Sequence, residues 1–365
     1  MGLQEEISEK SSQIKTDFYS MSIGELISLY KDGEMDIHPE FQRVYRWTGE
    51  QKTRLIESIL LGIPLPPIFV ATRKDGVWDI VDGVQRLSTI FQFAGILKGE
   101  NNELLPPLVL EPTKFLPSLE GMQYEGSAEN TLDPAQRIQF KRSKISVNLI
   151  LKESDPNSKY ELFQRLNTGG TPLSEQEVRN CLLLMENKKI YEFLKKLSES
   201  KDFVEVVALT DRLTREKHDM ELVLRFILLR KIPLEGLRIG HVADYLTEKM
   251  LLLDKETKFN FEEEEEAFNK TFKLLNDVLQ SDSFRRYDRN KNKFLGPFLV
   301  SAFEVVGMGI GFNVNNWKIV NPNLKNLIEG IWEKRDFLDR SGSGVSASGR
   351  IPVTLKIGRE VFKNS

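Results

Sequence analysis

The sequence predicts an α+β protein, with a mixed α/β domain over residues 18–175 followed by an all-α helical domain over residues 176–365. Three observations predict it. Two short β-type runs, 67–72 and 77–81, face each other across Asp75-Gly76, which is hairpin-turn chemistry. The second run passes through Asp82-Gly83 directly into Leu87, Ile90, Phe91 and Ala94 at helical spacing, so a strand feeds a helix. From Ser174 to about Trp332, nearly every segment carries the helical period instead.

In chain order, residues 1–17 are polar and aperiodic and read as a loose leader. Ser22-x-x-Glu25 is a capping box whose helix should stop near Gly33. Thr48-x-x-Gln51 opens a second helix, apolar at Leu55, Ile56, Ile59 and Leu60 and closed by Gly62 and Pro64. Residues 99–132, rich in Gly, Pro, Asn and Glu, read as a long insertion or substrate-facing loop. Asp133-Pro134 restarts a helix and 145–151 reads as a strand. Asp155-Pro156 then opens a helix that ends at Asn167-Thr168-Gly169-Gly170. Ser174-x-x-Glu177 caps the first helix of the second half, and further helices are expected at 190–197, 221–229, 268–279 and 298–306. The tail reads as a flexible Ser/Gly loop over 341–349 and a β-like stretch over 351–357.

Composition narrows the class. The 365 residues are 40% apolar and 29% charged, the profile of a globular chain. Lys plus Arg is 51 against 54 Asp plus Glu, so a net charge of −3 excludes a polycation and confines any nucleic-acid contact to a local patch. The single cysteine, Cys181, excludes an internal disulfide and every CxxC metal framework, fits a cytoplasmic location, and reads as a buried inert thiol. With only His38, His218 and His241, a multi-histidine metal site is disfavoured. The start MGLQEE lacks a signal-peptide core, and the longest apolar stretch, 298–312, is broken by Glu304 and shorter than a membrane span, so no membrane contact is expected. Neither a Walker A loop nor GxGxxG is present.

Three stretches could carry chemistry. In Val81-Asp82-Gly83-Val84-Gln85-Arg86-Leu87, a helix N-terminus with unpaired N–H groups, a glycine that lets phosphate approach and an arginine fork suit a phosphate ligand. A plain turn with Asp82 as cap and Arg86 in solvent weighs equally. Residues 39–47, with Arg43, Arg46, Phe41, Tyr45 and Trp47, could stack a base and clamp phosphates, although a hydrophobic lid on the next helix is the stronger reading. Residues 163–174 suit a nucleotide contact or an ordinary C-cap. Separately, Arg285, Arg286, Arg289, Lys291 and Lys293 interleave with Phe284, Tyr287 and Phe294, a pattern suited to nucleic acid. The plainer reading, a solvated loop balancing the acidic run 262–266, weighs more for any single charge run.

The order FQRVYRW, IPLPPIFV, DGVQRLSTI and FQRLNTGGTPLSEQEVRN, with DMELVLR at 219–225, resembles the GmrSD-type restriction endonuclease N-terminal-domain family over residues 22–230. The resemblance implies a ParB/sulfiredoxin-like nucleotide-binding fold, with NTP binding and hydrolysis in systems that restrict modified phage DNA. Asp82, Gly83, Gln85 and Arg86 match the family's Asp-Gly-Gln-Gln-Arg, while Val84 replaces its first Gln and removes one polar group. Carried over, Asp82 and Arg86 are the expected catalytic residues, with Asp82 also on Mg²⁺. Gln42, Arg43, Gly83, Gln85, Asn167, Thr168, Gly169 and Gly170 are the expected nucleotide contacts. Expected partners are a nucleoside triphosphate, DNA and a separate nuclease subunit, with self-association open. No histidine follows His241, so cleavage by an HNH mechanism is not expected of this chain alone. Two alternatives stay open: a non-enzymatic, nucleotide-gated DNA-binding module, and a metal-dependent DNA nickase.

Overall fold

Four helices start from capping boxes: the side chains of Ser22, Thr48, Asp133 and Ser174 accept from the N–H three residues on, while Glu25, Gln51, Gln136 and Glu177 reach back. The computed structural model describes residues 2–12, 15–37, 47–73, 75–99, 102–126, 130–151, 154, 160–162, 165, 174–253, 259–314, 323–342 and 344–363. The chain divides into two units, Met1–Pro172 and Leu173–Ser365.

In the first unit the elements are α1 (Leu3–Ser12), β1 (Thr16–Ser22), α2 (Ile23–Lys31), β2 (Met35–Asp36), α3 (Gly49–Leu60), β3 (Ile68–Thr72), β4 (Trp78–Asp82), α4 (Val84–Phe93), α5 (Pro134–Arg142) and β5 (Lys144–Ile150). The strands form one mixed sheet in the order β1-β5-β3-β4-β2. β1 runs antiparallel to β5, from Thr16 opposite Ile150 to Ser22 opposite Lys144. β3 is parallel to β5 and antiparallel to β4, and β2 is parallel to β4. Ile23 of α2, Ile56 of α3, Val70 of β3, and Leu87 and Phe91 of α4 are buried in one core. At ~1.5–3 kcal/mol per buried side chain, this core fixes where β4 hands over to α4.

One expectation for this unit is corrected and one is refined. The leader 1–17 contains α1 and the start of β1, because Thr16 and Asp17 find backbone partners on β5 that local periodicity does not reveal. The segment read as a long insertion or substrate-facing loop over 99–132 has little regular structure, and its described residues cover the core. Leu108, Leu110, Leu119, Tyr124 and Leu132 are buried, and Glu111 N–H and Thr113 Oγ1 donate to Thr53 and Glu57 of α3. Apolar residues spaced irregularly to meet a curved core carry no period.

The second unit contains α6 (Glu175–Glu186), α7 (Lys188–Ser198), α8 (Lys201–Val207), α9 (Asp211–Arg215), α10 (His218–Leu229), α11 (Val242–Leu252) and α12 (Phe261–Val278). After these come β6 (Arg286–Asp288) and β7 (Lys293–Leu295), α13 (Val300–Ala302), a π-helical turn (Phe303–Gly307) and α14 (Met308–Asn313). The unit ends in α15 (Leu324–Ile331), α16 (Arg335–Ser341) and α17 (Ala347–Val361). Phe203, Phe226, Phe268, Phe272, Phe284 and Phe303 are wholly buried and meet mostly edge to face or tilted, with Phe272 and Phe303 stacked.

This unit is mainly helical but not all-α, since β6 and β7 form an antiparallel hairpin with Tyr287 opposite Phe294. The β-like reading of 351–357 is also corrected. Those residues lie inside α17, where Ile351 and Leu355 are buried at a four-residue spacing and Gly358 touches Gly309 of α14. Helix-to-helix packing there overrides the β-branched alternation and the interior Pro352. The Ser/Gly loop read over 341–349 is shorter, since α16 ends at Ser341 and α17 begins at Ala347, with Ser346 accepting from Gly349 N–H. The predicted helix 298–306 forms with a π turn that places Glu304, fully buried, against Arg350.

Candidate nucleotide site

β4 ends at Asp82, and Gly83 turns the chain with φ +102 so that α4 starts at Val84. An alanine would be strained there and would also collide, because a Cβ on Gly83 would lie 2.5 Å from Ile68 Cγ2 on β3. Gly83 accepts the Leu87 N–H at 2.9 Å and, having no side chain, offers α4 no N-cap hydrogen bond of its own. The first turn of α4 is the partially positive end of the helix.

Arg86 lies one turn further on, its side chain only 12% exposed. Its Nη2 donates to Asp82 Oδ2 at 2.9 Å, and its Nη1 donates to the carbonyls of Pro66 and, at 3.2 Å, Pro67. Burial pulls the guanidinium below its usual range, while the Asp82 charge and hydrogen bond push it back up. Arg86 thus ties the IPLPPIFV stretch to the strand-to-helix junction and orients one oxygen of Asp82. The other Asp82 oxygen has no partner among the described residues, and the carboxylate is 42% exposed. The reading of Arg86 as a solvated residue is overturned, and so is that of Asp82 as the helix cap.

Gln85 reaches back to the first stretch, its Oε1 accepting from Trp47 N–H at 3.4 Å. Gln42 and Arg43 lie outside the described residues, as do Asn167, Thr168, Gly169 and Gly170. The family-like motifs of the second unit do meet. Ser174 Oγ donates to Glu216 O at 2.6 Å, and the fully buried Arg179 donates to Glu221 at 2.6 Å. Glu221 also holds Arg225 at 2.9 Å, and Arg225 stands 3.7 Å from Glu304, which Arg350 grips through two bonds of 2.8 and 2.9 Å. Burial works to raise the Glu221 carboxyl, but Arg225, Arg179 and His218 outweigh it and hold it below its usual value. This chain of ion pairs escaped the sequence reading because its members come from four separate helical segments.

The basic-aromatic patch is the hairpin. Arg285 pairs with Asp282 at 3.3 Å and Arg289 with Glu333 at 2.5 Å, whereas Arg286, Lys291 and Lys293 are exposed with no ion pair among the described residues. No helix of the described residues is long and apolar enough to cross a membrane.

Among the described residues, no three His, Cys, Asp or Glu side chains come together to hold a metal ion. A single half-open carboxylate such as Asp82 fits Mg²⁺ that arrives on phosphates, since that ion keeps waters and takes one or two protein carboxylates. The α4 terminus, with its glycine turn, fits phosphate oxygens. Comparison with curated proteins finds no match, and neither does comparison with solved structures. The model of the family described as GmrSD restriction endonuclease, N-terminal domain, matches residues 23–184, a span that includes α2, the β4–Gly83–α4 junction and most of α6. Residues 23–184 are thus similar to the N-terminal domain of GmrSD restriction endonucleases, and the rest of the chain lies outside that match.

Proposed function

We propose that the chain is the nucleotide-dependent component of a DNA-directed restriction or phage-defence system. In this reading it binds a nucleoside triphosphate at the β4–Gly83–α4 junction and hydrolyses it with Mg²⁺. The observation that carries the reading is the α4 terminus, with its glycine turn, beside a carboxylate with one unpartnered oxygen and a buried guanidinium. Phosphates lie against the first-turn N–H groups, and Asp82 orients water or the ion borne on the phosphates. Arg86 fixes Asp82 and supplies positive charge from behind. Gln42, Arg43 and residues 167–170 close the site in this scheme. Phosphoryl transfer needs mainly such positioning and fixed charge.

Two features favour a second reading, in which nucleotide only switches the conformation of a DNA-binding module. Val84 removes a polar group from the motif, and Arg86 is already engaged by Pro66, Pro67 and Asp82. A nickase would have to work from Asp82 without a carboxylate cluster among the described residues.

Phosphate release from ATP, GTP, CTP and UTP with Mg²⁺, with and without DNA, tests the proposal alongside direct nucleotide binding. Asp82→Asn should retain binding and lose turnover by at least ~100-fold, and Arg86→Ala should weaken both. Losing Arg86 also costs three hydrogen bonds, about 2–4 kcal/mol, so its folding is checked by urea unfolding. Turnover unchanged in a folded Asp82→Asn variant overturns the hydrolytic assignment. Binding without turnover in the wild type selects the gating reading.

A further inference from the structure

The acidic run on α12 does not neutralise the hairpin. Glu263 pairs with Lys231, Glu264 with Arg230, Glu265 with Lys196 and Glu266 with Lys270. Among the described residues no hairpin cation pairs with this run, so direct pairing does not account for Arg286, Lys291 and Lys293. The ribbon is also held rigid. At its base Phe284 is buried among Phe272, Phe298 and Phe303, and Phe284 O accepts from Leu299 N–H at 3.0 Å. The Tyr287 and Phe294 rings pack at 5.0 Å on one face, and Tyr287 donates to Asn292 at 2.5 Å across the turn. The other face carries Arg286, opposite Leu295, and Lys293, opposite Asp288, with Lys291 in the turn, where its N–H donates to Asp288 Oδ1 at 3.2 Å.

We propose that this ribbon is a duplex-DNA backbone contact, with Arg286, Lys291 and Lys293 on phosphates. A two-stranded ribbon is one of the two elements that the major groove admits, and cations on a fixed backbone, with no ion pair among the described residues, release counterions without first breaking one. The choice of DNA over other polyanions rests on the restriction-system reading, but the hairpin argument does not need nucleotide hydrolysis.

The test is fluorescence anisotropy of a labelled 30-bp duplex with the full chain, without nucleotide, at a series of salt concentrations. Lys291→Gln/Lys293→Gln should weaken binding about 50-fold near 0.1 M salt and reduce the salt slope by about 2, at about 0.9 per phosphate contact. The control Lys188→Gln/Lys201→Gln removes lysines already paired with Glu192 and Glu205 and should change little. Equal loss in both double variants, or no wild-type binding at low salt, overturns the proposal. Competition by polyglutamate as strong as by DNA would also overturn it, in favour of an acidic protein partner. DNA binding that passes this test while no nucleotide is hydrolysed leaves the ribbon standing and removes only the NTPase.

Discussion

Gly83 is where the sequence motif and the fold make the same demand, and Gly83→Ala measures how large that demand is. Two costs add. Alanine must adopt φ +102, and a left-handed backbone costs an L-residue roughly 1–2 kcal/mol. Its methyl must also share space with Ile68 Cγ2 at 2.5 Å, and relieving such overpacking against a central strand costs about 1–3 kcal/mol. The expected loss is therefore about 2–5 kcal/mol, a large part of a domain's usual ~5–15 kcal/mol. Urea unfolding should show the midpoint of the first unit lowered by roughly 1–2.5 M at a slope of ~2 kcal/mol/M. Ile68→Ala removes the colliding carbon, so in the double variant the losses should fall short of additivity by about 1–3 kcal/mol. An unchanged midpoint, or strict additivity with Ile68→Ala, would refute the steric argument. A loss of nucleotide binding in Gly83→Ala alone therefore does not identify a phosphate contact, which is why Asp82→Asn carries that test.

Two further predictions concern the buried charges of the second unit. Glu304→Gln keeps the shape but leaves Arg350, and Arg225 at 3.7 Å, facing a neutral group in the interior, so unfolding should become about 3–5 kcal/mol easier; a change below about 1 kcal/mol contradicts a stabilising ion pair. Burial holds folded His218 below its ordinary value of 6.5, with the Arg225 and Arg212 charges pushing the same way and the Glu221 and Glu216 charges opposing it. Between the lowered value and 6.5 the unfolded chain binds the extra proton, so stability should rise with pH there and fall as pH drops. The melting temperature of His218→Gln should be flatter than that of the wild type over the same interval, and an unchanged slope sinks the assignment.

Helix starts were legible because a capping box is a local device, complete within four residues: Ser22, Thr48 and Ser174 were each readable before any tertiary contact was known. The β3–β4 hairpin was legible for the same reason, with its turn chemistry between two β-type runs. Misread segments depend on distant partners. β1 exists because β5, more than a hundred residues later, supplies its ladder, and α17 is helical because Gly309 and Gly358 let two backbones meet. The β6–β7 hairpin was hidden by its own charges, since Arg286, Lys291 and Lys293 look like a solvated run until the Tyr287–Phe294 pair is seen to align them.

At the candidate site the divide falls inside one residue. That Asp82 and Arg86 belong to one motif was legible from the match to Asp-Gly-Gln-Gln-Arg, and the structure puts them 2.9 Å apart. That Arg86 also holds the carbonyls of Pro66 and Pro67 could not be read from spacing, because the acceptors are backbone atoms about twenty residues away. The IPLPPIFV stretch gains a physical role from this. Prolines lack N–H donors, so their carbonyls need not sit in a regular ladder and are left to accept from a guanidinium. A guanidinium committed to three oxygens is a rigid fixture, and its positive charge persists at the α4 terminus whether or not a phosphate is there. Transition-state stabilisation asks for charge that is already oriented when the reaction begins, so under the proposed hydrolysis the Pro66–Arg86–Asp82 bracket would supply it, whereas under nucleotide gating the same bracket would only hold the junction in shape.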